Sequence, residues 1–238
     1  MREYITSKEK KQIYVNQMFS EIASRYDLVT ALFSYGQDRR WKKKLVRLAE
    51  IQPHHIVLDL ACGTGDITFM LGKTVTTGKV IGVDITPGMI EIACRKRDQL
   101  GMGGVSFEIG DVTRLSFPQN HFDRITVGYG LRNVPDIACL LSEIHRMLKP
   151  GGLFLSLDFA KPVNPFYHRA YLRYLTIVGS TFGWMMHGDP DLYRYIPESL
   201  KIYPAQHGVK QLMDTVGFIG TGFLTFGGGI TAINYGRK

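Results

Sequence analysis

The sequence predicts an α/β fold in which seven strands form a mostly parallel sheet flanked by helices, with the last strand antiparallel. Short apolar runs alternate with helical patterns between Pro53 and Phe159. The run IVLDLACGTGD at 56–66 stops at a small-residue turn and resumes as a helix, and the GGG turn at 227–229 is short enough to pair its flanking strands antiparallel.

The first helix is expected over 8–24, where Ile13, Met18 and Ile22 share a face, and SRYD at 24–27 ends it. A second covers 37–50, with Trp41, Leu45 and Leu48 on one side. Its other sides carry Arg39, Arg40, Lys42, Lys43, Lys44 and Arg47, the densest basic cluster in the chain. That cluster is either a solvated face or a contact for a membrane surface or polyanion. Strands follow at 55–60, 79–84, 104–109, 123–129 and 152–159, separated by helices at 65–72, 88–99 and 136–148. Pro150, Gly151 and Gly152 are expected to break the last of these helices from its strand.

From 161 to 204 aromatics crowd together, among them Phe166, Tyr167, Tyr171, Tyr174, Phe182, Trp184, Tyr193, Tyr195 and Tyr203. The stretch reads as too apolar for a linker and too interrupted for one helix. It is expected to form an aromatic lid over the strand ends, with a plain core role as the alternative. A helix at 206–216 and strands at 218–226 and 230–236 complete one domain over 1–238, whose elaborations are the N-terminal helices (1–52) and the lid (161–204).

The chain has 29 basic and 21 acidic residues among 238, a net charge of +8 that favours an anionic surface, nucleic acid or lipid. Cys62, Cys94 and Cys139 show neither CxxC nor Cys/His ligand spacing, so a reducing cytoplasmic setting without a metal is expected. The N-terminus lacks a signal-peptide core. Tyr174–Met186, the most apolar later stretch, is about half the length that spans a bilayer, so no transmembrane anchor is expected.

In an open parallel sheet, ligands bind beyond the carboxyl ends of the strands at the switch point. Asp59 ends the first strand, Gly63 and Gly65 form its turn, and Thr68 stands where a dinucleotide fingerprint would have its third glycine. That departure favours the DxxxGxG turn used for S-adenosylmethionine, whose methionyl part has no pyrophosphate. Asp84, followed by Ile85, is placed to accept ribose hydroxyls or to cap a helix. Asp111 could accept from an adenine amine beside the Val112 amide, or simply form a turn. Arg132 and Asn133 in GYGLRNVPD fall on the loop facing the transferable methyl group, unless the arginine has a structural carboxylate partner.

DLACGTGD, VDIT, GDVTRLSFPQNHFD, GYGLRNV, LKPGG, LDFAKP and YRYIPESLKIYP, in that order, resemble the ubiquinone/menaquinone biosynthesis C-methyltransferases, and the likeness runs over nearly the whole chain. The glycine turn and LKPGG are generic to class I methyltransferases, whereas YGLRNV with YRYIPES is much more specific. The resemblance implies a Rossmann-like methyltransferase sheet and methyl transfer from S-adenosylmethionine to a ring carbon of a polyprenyl quinol. It implies cofactor contacts at Asp59, Gly63, Thr64, Gly65, Asp84, Ile85, Asp111, Val112 and Gly128. Arg132 and Asn133 are the implied catalytic residues, and Tyr26, Tyr129, His187 and Tyr195 the implied substrate contacts. Thr30 stands where the family usually has the asparagine of YDxxN, and Gly128 where a serine often touches the cofactor.

Arginine stays protonated near neutral pH, so Arg132 is expected to stabilise a quinolate and position a water. His187, Asp158 and Tyr195 are the candidate proton acceptors. A prenylated quinol lives in a bilayer, so peripheral contact with an anionic inner membrane face is expected through the 37–50 helix, with the 161–202 aromatics admitting the tail. Nucleic acid is not the expected partner, because NVPD replaces an NPPY-type turn and no Pro-Cys nucleophile is present. A homodimer stays open.

Overall fold

The computed structural model describes residues 14, 15, 17–19, 30, 34, 36–188 and 192–238, without the side chains of 186, 187 and 192. Of the expected first helix, residues 14, 15 and 17–19 are helical; the rest of it, and Tyr26, lie outside the described residues. Helix α1 (Asp38–Leu48) buries Trp41, Lys42 and Leu45 and exposes Arg39, Arg40, Lys43 and Arg47.

The sheet is built from β1 (Ile56–Leu60), β2 (Lys79–Asp84), β3 (Val105–Ile109), β4 (Phe122–Gly128), β5 (Leu148–Phe159), β6 (Ile219–Phe226) and β7 (Thr231–Arg237). Its order is β3-β2-β1-β4-β5-β7-β6. β7 runs antiparallel to both β5 and β6, and the other pairings are parallel. Strands β1 and β2 are buried almost throughout, which is why they read as unbroken apolar runs, whereas the edge strands β3 and β6 are partly exposed. Strand order reverses between β1 and β4, where Leu58 pairs with Ile81 on one side and Ile125 on the other. The crevice past their carboxyl ends is therefore the switch point.

The helices start and stop where local chemistry dictates. α2 (Asp66–Gly72) begins after Gly65, whose φ of +89° suits glycine and whose Cβ would come within 2.8 Å of Phe69 and Phe107. α3 (Pro87–Leu100) has proline in its first turn and stops at left-handed Gly101. α4 (Ile137–Met147) is capped by Asp136, which accepts from the Cys139 amide. β5 starts at Leu148, so Pro150, Gly151 and Gly152 lie inside a strand rather than before it. The pairing with β4 shifts register there, which absorbs the proline in an irregularity.

The 161–204 stretch also departs from expectation, because most of it is one helix, α5 (Pro165–His187). Asn164 caps it by accepting from the amides of Phe166 and Tyr167, Pro165 opens its first turn, and Gly188 ends it at a φ of +70°. Gly179 and Gly183 sit within it; each costs about 1 kcal/mol relative to alanine but does not break the hydrogen-bond ladder. α6 (Tyr195–Ile202) and α7 (Ala205–Val216) follow, the first of which the sequence did not signal. Tyr171, Tyr193, Tyr195 and Tyr203 are buried, as the core reading of these aromatics requires.

Candidate active site

Two neighbouring strands leave the sheet through left-handed residues that are not glycine: Ala61 after β1 at φ +51° and Tyr129 after β4 at φ +60°. The turns touch, since a Cβ on Gly130 would lie 2.5 Å from that of Ala61. Asp84, ending β2, ties the turn after β1 to the turn after its own strand. One of its oxygens accepts from the Gly63 amide at 2.8 Å and the other from the Thr86 amide at 2.9 Å. Asp84 is buried, and desolvation pushes its pKa up despite those amides. After β3, one Asp111 oxygen accepts from the Thr113 amide at 2.9 Å and its hydroxyl at 2.7 Å, so the turn-forming reading holds for that oxygen.

These turns border a cavity of about 710 Å³, part of it open to solvent. Gly63, Asp84, Ile85, Asp111, Val112, Gly128, Tyr129 and Asn133, scattered over 71 positions of sequence, all line it. Val15, Phe19 and Met89 complete its apolar wall; nothing in their spacing marked them. Gly128 is close-packed, because a Cβ there would run into the Ile67 Cδ1 methyl.

Asp59, Thr64 and Gly65 are placed differently. Asp59 and Thr64 line a smaller cavity of about 330 Å³ that shares Ala61, Gly128 and Tyr129 with the first. Asp59 bridges α2 and β4, accepting from the hydroxyls of Thr68 at 2.6 Å and Thr126 at 2.7 Å. Burial holds its carboxyl at a pKa of about 6. Gly65 lines neither cavity and serves the packing described above. The smaller cavity also takes in Lys42, ion-paired with Asp66 at 2.9 Å and Asp38 at 3.1 Å. Only its i,i+4 relation to Asp38 set Lys42 apart from its exposed basic neighbours.

Arg132 is not among the residues that line the larger cavity. Its side chain is 5% exposed and pairs at 3.1 Å with Asp158, which is 2% exposed. The same nitrogen donates to the Tyr129 carbonyl at 3.0 Å, and the guanidinium lies 4.8 Å from the Phe159 ring centroid. Asp158 also accepts from the backbone amides of Arg132 and Phe159. The structural-carboxylate reading of Arg132 therefore holds, and Asp158 is committed to three donors. Asn133 lines the cavity instead, donating to the Tyr129 carbonyl at 3.4 Å and accepting from the Tyr195 hydroxyl at 3.2 Å. Burial raises the Tyr195 pKa, which disfavours it as a proton acceptor, and the His187 side chain lies outside the described residues. No described side chain between 161 and 204 is among those lining the cavity.

The lining, with the carboxylates of Asp84 and Asp111, apolar Ile85, Val112 and Met89, and the Tyr129–Asn133 turn, can hold a polar, uncharged or cationic ligand. Those carboxylate acceptors fit a nucleoside whose hydroxyls and exocyclic amine donate.

The model of the ubiE/COQ5 methyltransferase family matches residues 5–238. The ubiquinone/menaquinone biosynthesis C-methyltransferase UbiE of Cellvibrio japonicus is 38% identical over 97% of this chain and 93% of its own length. The demethylmenaquinone methyltransferase of Thermus thermophilus is 39% identical over 93% of this chain and 100% of its own. Among solved structures, a SAM-dependent methyltransferase from Aquifex aeolicus superposes with a TM-score of 0.61 at 20% identity, over 82% of this chain and 88% of that one. At that identity the likeness speaks for the fold.

Proposed function

The chain belongs to the ubiE/COQ5 methyltransferase family, and on that premise we propose that it transfers a methyl group from S-adenosylmethionine to a ring carbon of a polyprenyl quinol in respiratory quinone biosynthesis. The observation that carries the reading is the convergence of Asp84, Asp111 and the Tyr129–Asn133 turn on one cavity in a chain that matches the family almost end to end. The cofactor supplies an electrophilic methyl on a sulfonium. Asp84 takes the ribose hydroxyls, Asp111 and the Val112 amide take the adenine edge, and Ile85 packs beside it. Gly63, Thr64 and Gly128 border the methionyl part, with Asp59 and Gly65 fixing the turn from beneath.

Tyr129 and Asn133 orient the quinol, and Arg132 acts on the reaction by holding the turn that carries them. Tyr26 and His187 stand as substrate contacts on the family resemblance alone. Orientation is the larger rate contribution, worth ~7 to 11 kcal/mol at best, with proton removal from the ring hydroxyl adding roughly 100- to 10,000-fold. The quinol resides in a bilayer, so the protein meets it as a peripheral visitor at the inner face. No helix among the described residues is long and apolar enough to cross a membrane. Incubation with methyl-labelled S-adenosylmethionine and a quinol-containing lipid extract should place label in a quinol. Cofactor binding with no labelled lipid would sink the proposal.

A further inference from the structure

Helix α5 is apolar on both sides. Its inner side packs into the core through Tyr171 and Leu175, with Phe182 against Tyr193 at 5.4 Å between ring centroids. Its outer side carries Phe166 (79% exposed), Ile177 (65%) and Trp184 (67%), with exposed Met185 alongside. Positions 166, 173, 177 and 184 are spaced by seven, four and seven residues, so they fall on one stripe of a 3.6-residue helix. From 166 to 184 that stripe is about 27 Å long. Large side chains left in water along one line call for a cover.

Charge indicates the kind of cover. Phe159–Gly188, 30 residues, contains no Asp or Glu, while Arg169 and Arg173 are exposed on and beside the stripe. The Arg169 guanidinium lies 6.0 Å from the Phe166 ring centroid. The stripe is thus aromatic and aliphatic with cations only, the composition that suits the headgroup boundary of an anionic bilayer. A second copy seated on it would bring four arginines into one contact with no carboxylate on the helix to offset them. The start of α5 is linked to α1 through Gly227, whose carbonyl accepts from the Tyr167 hydroxyl and whose Cβ would lie 3.7 Å from Trp41 on the buried side of α1. α1 has exposed cations but no exposed large apolar side chain, so it can attract a membrane without entering it.

We propose that the outer stripe of α5, centred on Phe166, Ile177 and Trp184, is the surface that enters an anionic lipid bilayer, with α1 contributing attraction alone. The choice of a bilayer as occupant rests on the quinol reading above. Docked in this way, α5 connects inward through α6 to the cavity, where Tyr195 holds Asn133.

The test is sedimentation of the full chain with phosphatidylglycerol/phosphatidylcholine vesicles, together with tryptophan emission. Trp41 is buried and Trp184 exposed, so a blue shift on vesicle addition reports Trp184. Ile177→Glu and Trp184→Glu, both at exposed positions, should each weaken vesicle binding by about tenfold or more. Ile177→Glu should also abolish the blue shift. Both variants should keep wild-type melting and wild-type methyl transfer to a short-tailed, water-soluble quinol, and lose transfer to a long-tailed quinol embedded in vesicles. Unchanged vesicle binding in both variants overturns the proposal, as does a wild-type dimer that either variant dissociates, since the cover is then a second copy. Wild-type vesicle binding that depends on the stripe, without methyl transfer to any quinol, would refute the quinol reading and leave the docking face standing.

Discussion

Breaking the Arg132–Asp158 pair separates a strut from a catalytic group. Both side chains are nearly devoid of solvent, and Asp158 accepts from the Arg132 side chain at 3.1 Å, the Arg132 amide at 3.0 Å and the Phe159 amide at 2.8 Å. Arg132→Met leaves a buried carboxylate without its cation, and Asp158→Ala leaves a buried guanidinium without its anion. Each should lower the unfolding free energy by about 3 to 5 kcal/mol. A domain of ordinary stability has only about 5 to 15 kcal/mol in hand, so both variants should remain folded but marginal in the cold. The double variant Arg132→Met/Asp158→Ala removes both charges together and should lose far less than the sum of the singles. Urea unfolding of the four proteins gives the cycle, and turnover with a short-tailed quinol gives the kinetics. Arg132 as a strut predicts that activity and stability fall together and that cofactor affinity falls too, because the turn carrying Tyr129 and Asn133 loosens. An Arg132→Met protein that unfolds at the wild-type urea concentration yet transfers no methyl would refute the reasoning.

Three further outcomes can be checked. Asp59 is raised from its ordinary 3.8 to about 6 by burial, so the folded state holds this proton more tightly than the unfolded chain. Its stabilising contribution is full below about pH 4 and is lost as pH rises through 6, at most about 3 kcal/mol. Asp59→Asn should flatten that part of the stability profile in urea unfolding between pH 4 and 7. Asp84→Ala unties Gly63 from Thr86 and removes a ligand acceptor, so cofactor affinity by calorimetry should fall roughly 10- to 100-fold. Gly128→Ser should cost about 1 to 3 kcal/mol by crowding the Ile67 methyl, and adding Ile67→Val should recover part of the loss in thermal melts.

The sheet was legible because strands buried on both faces must be apolar throughout, and the turns between them carry glycine or proline where the backbone requires it. Asp84 and Asp111 could be found for the same reason: they terminate strands next to the place where strand order reverses. The Arg132–Asp158 pair was not legible because the carboxylate lies 26 residues away on β5, and no local pattern reveals such a partner. The continuity of α5 was hidden by Gly179 and Gly183, whose modest cost is outweighed by the inner packing of Tyr171 and Leu175. Lys42 was lost among neighbours of the same charge, and Val15 and Phe19 became wall residues only through tertiary placement.

The left-handed exits at Ala61 and Tyr129 have a calorimetric consequence. Each holds a non-glycine residue in a narrow conformational well, at a cost of order 1 kcal/mol or more borne by the folded chain before any ligand arrives. These two residues of the cavity mouth thus have their backbone conformation set on folding. Binding there should carry little entropy penalty from the backbone, and replacing either residue with glycine should shift the cost from folding to binding. Such a substitution would leave every wall side chain but one in place and still weaken affinity through entropy.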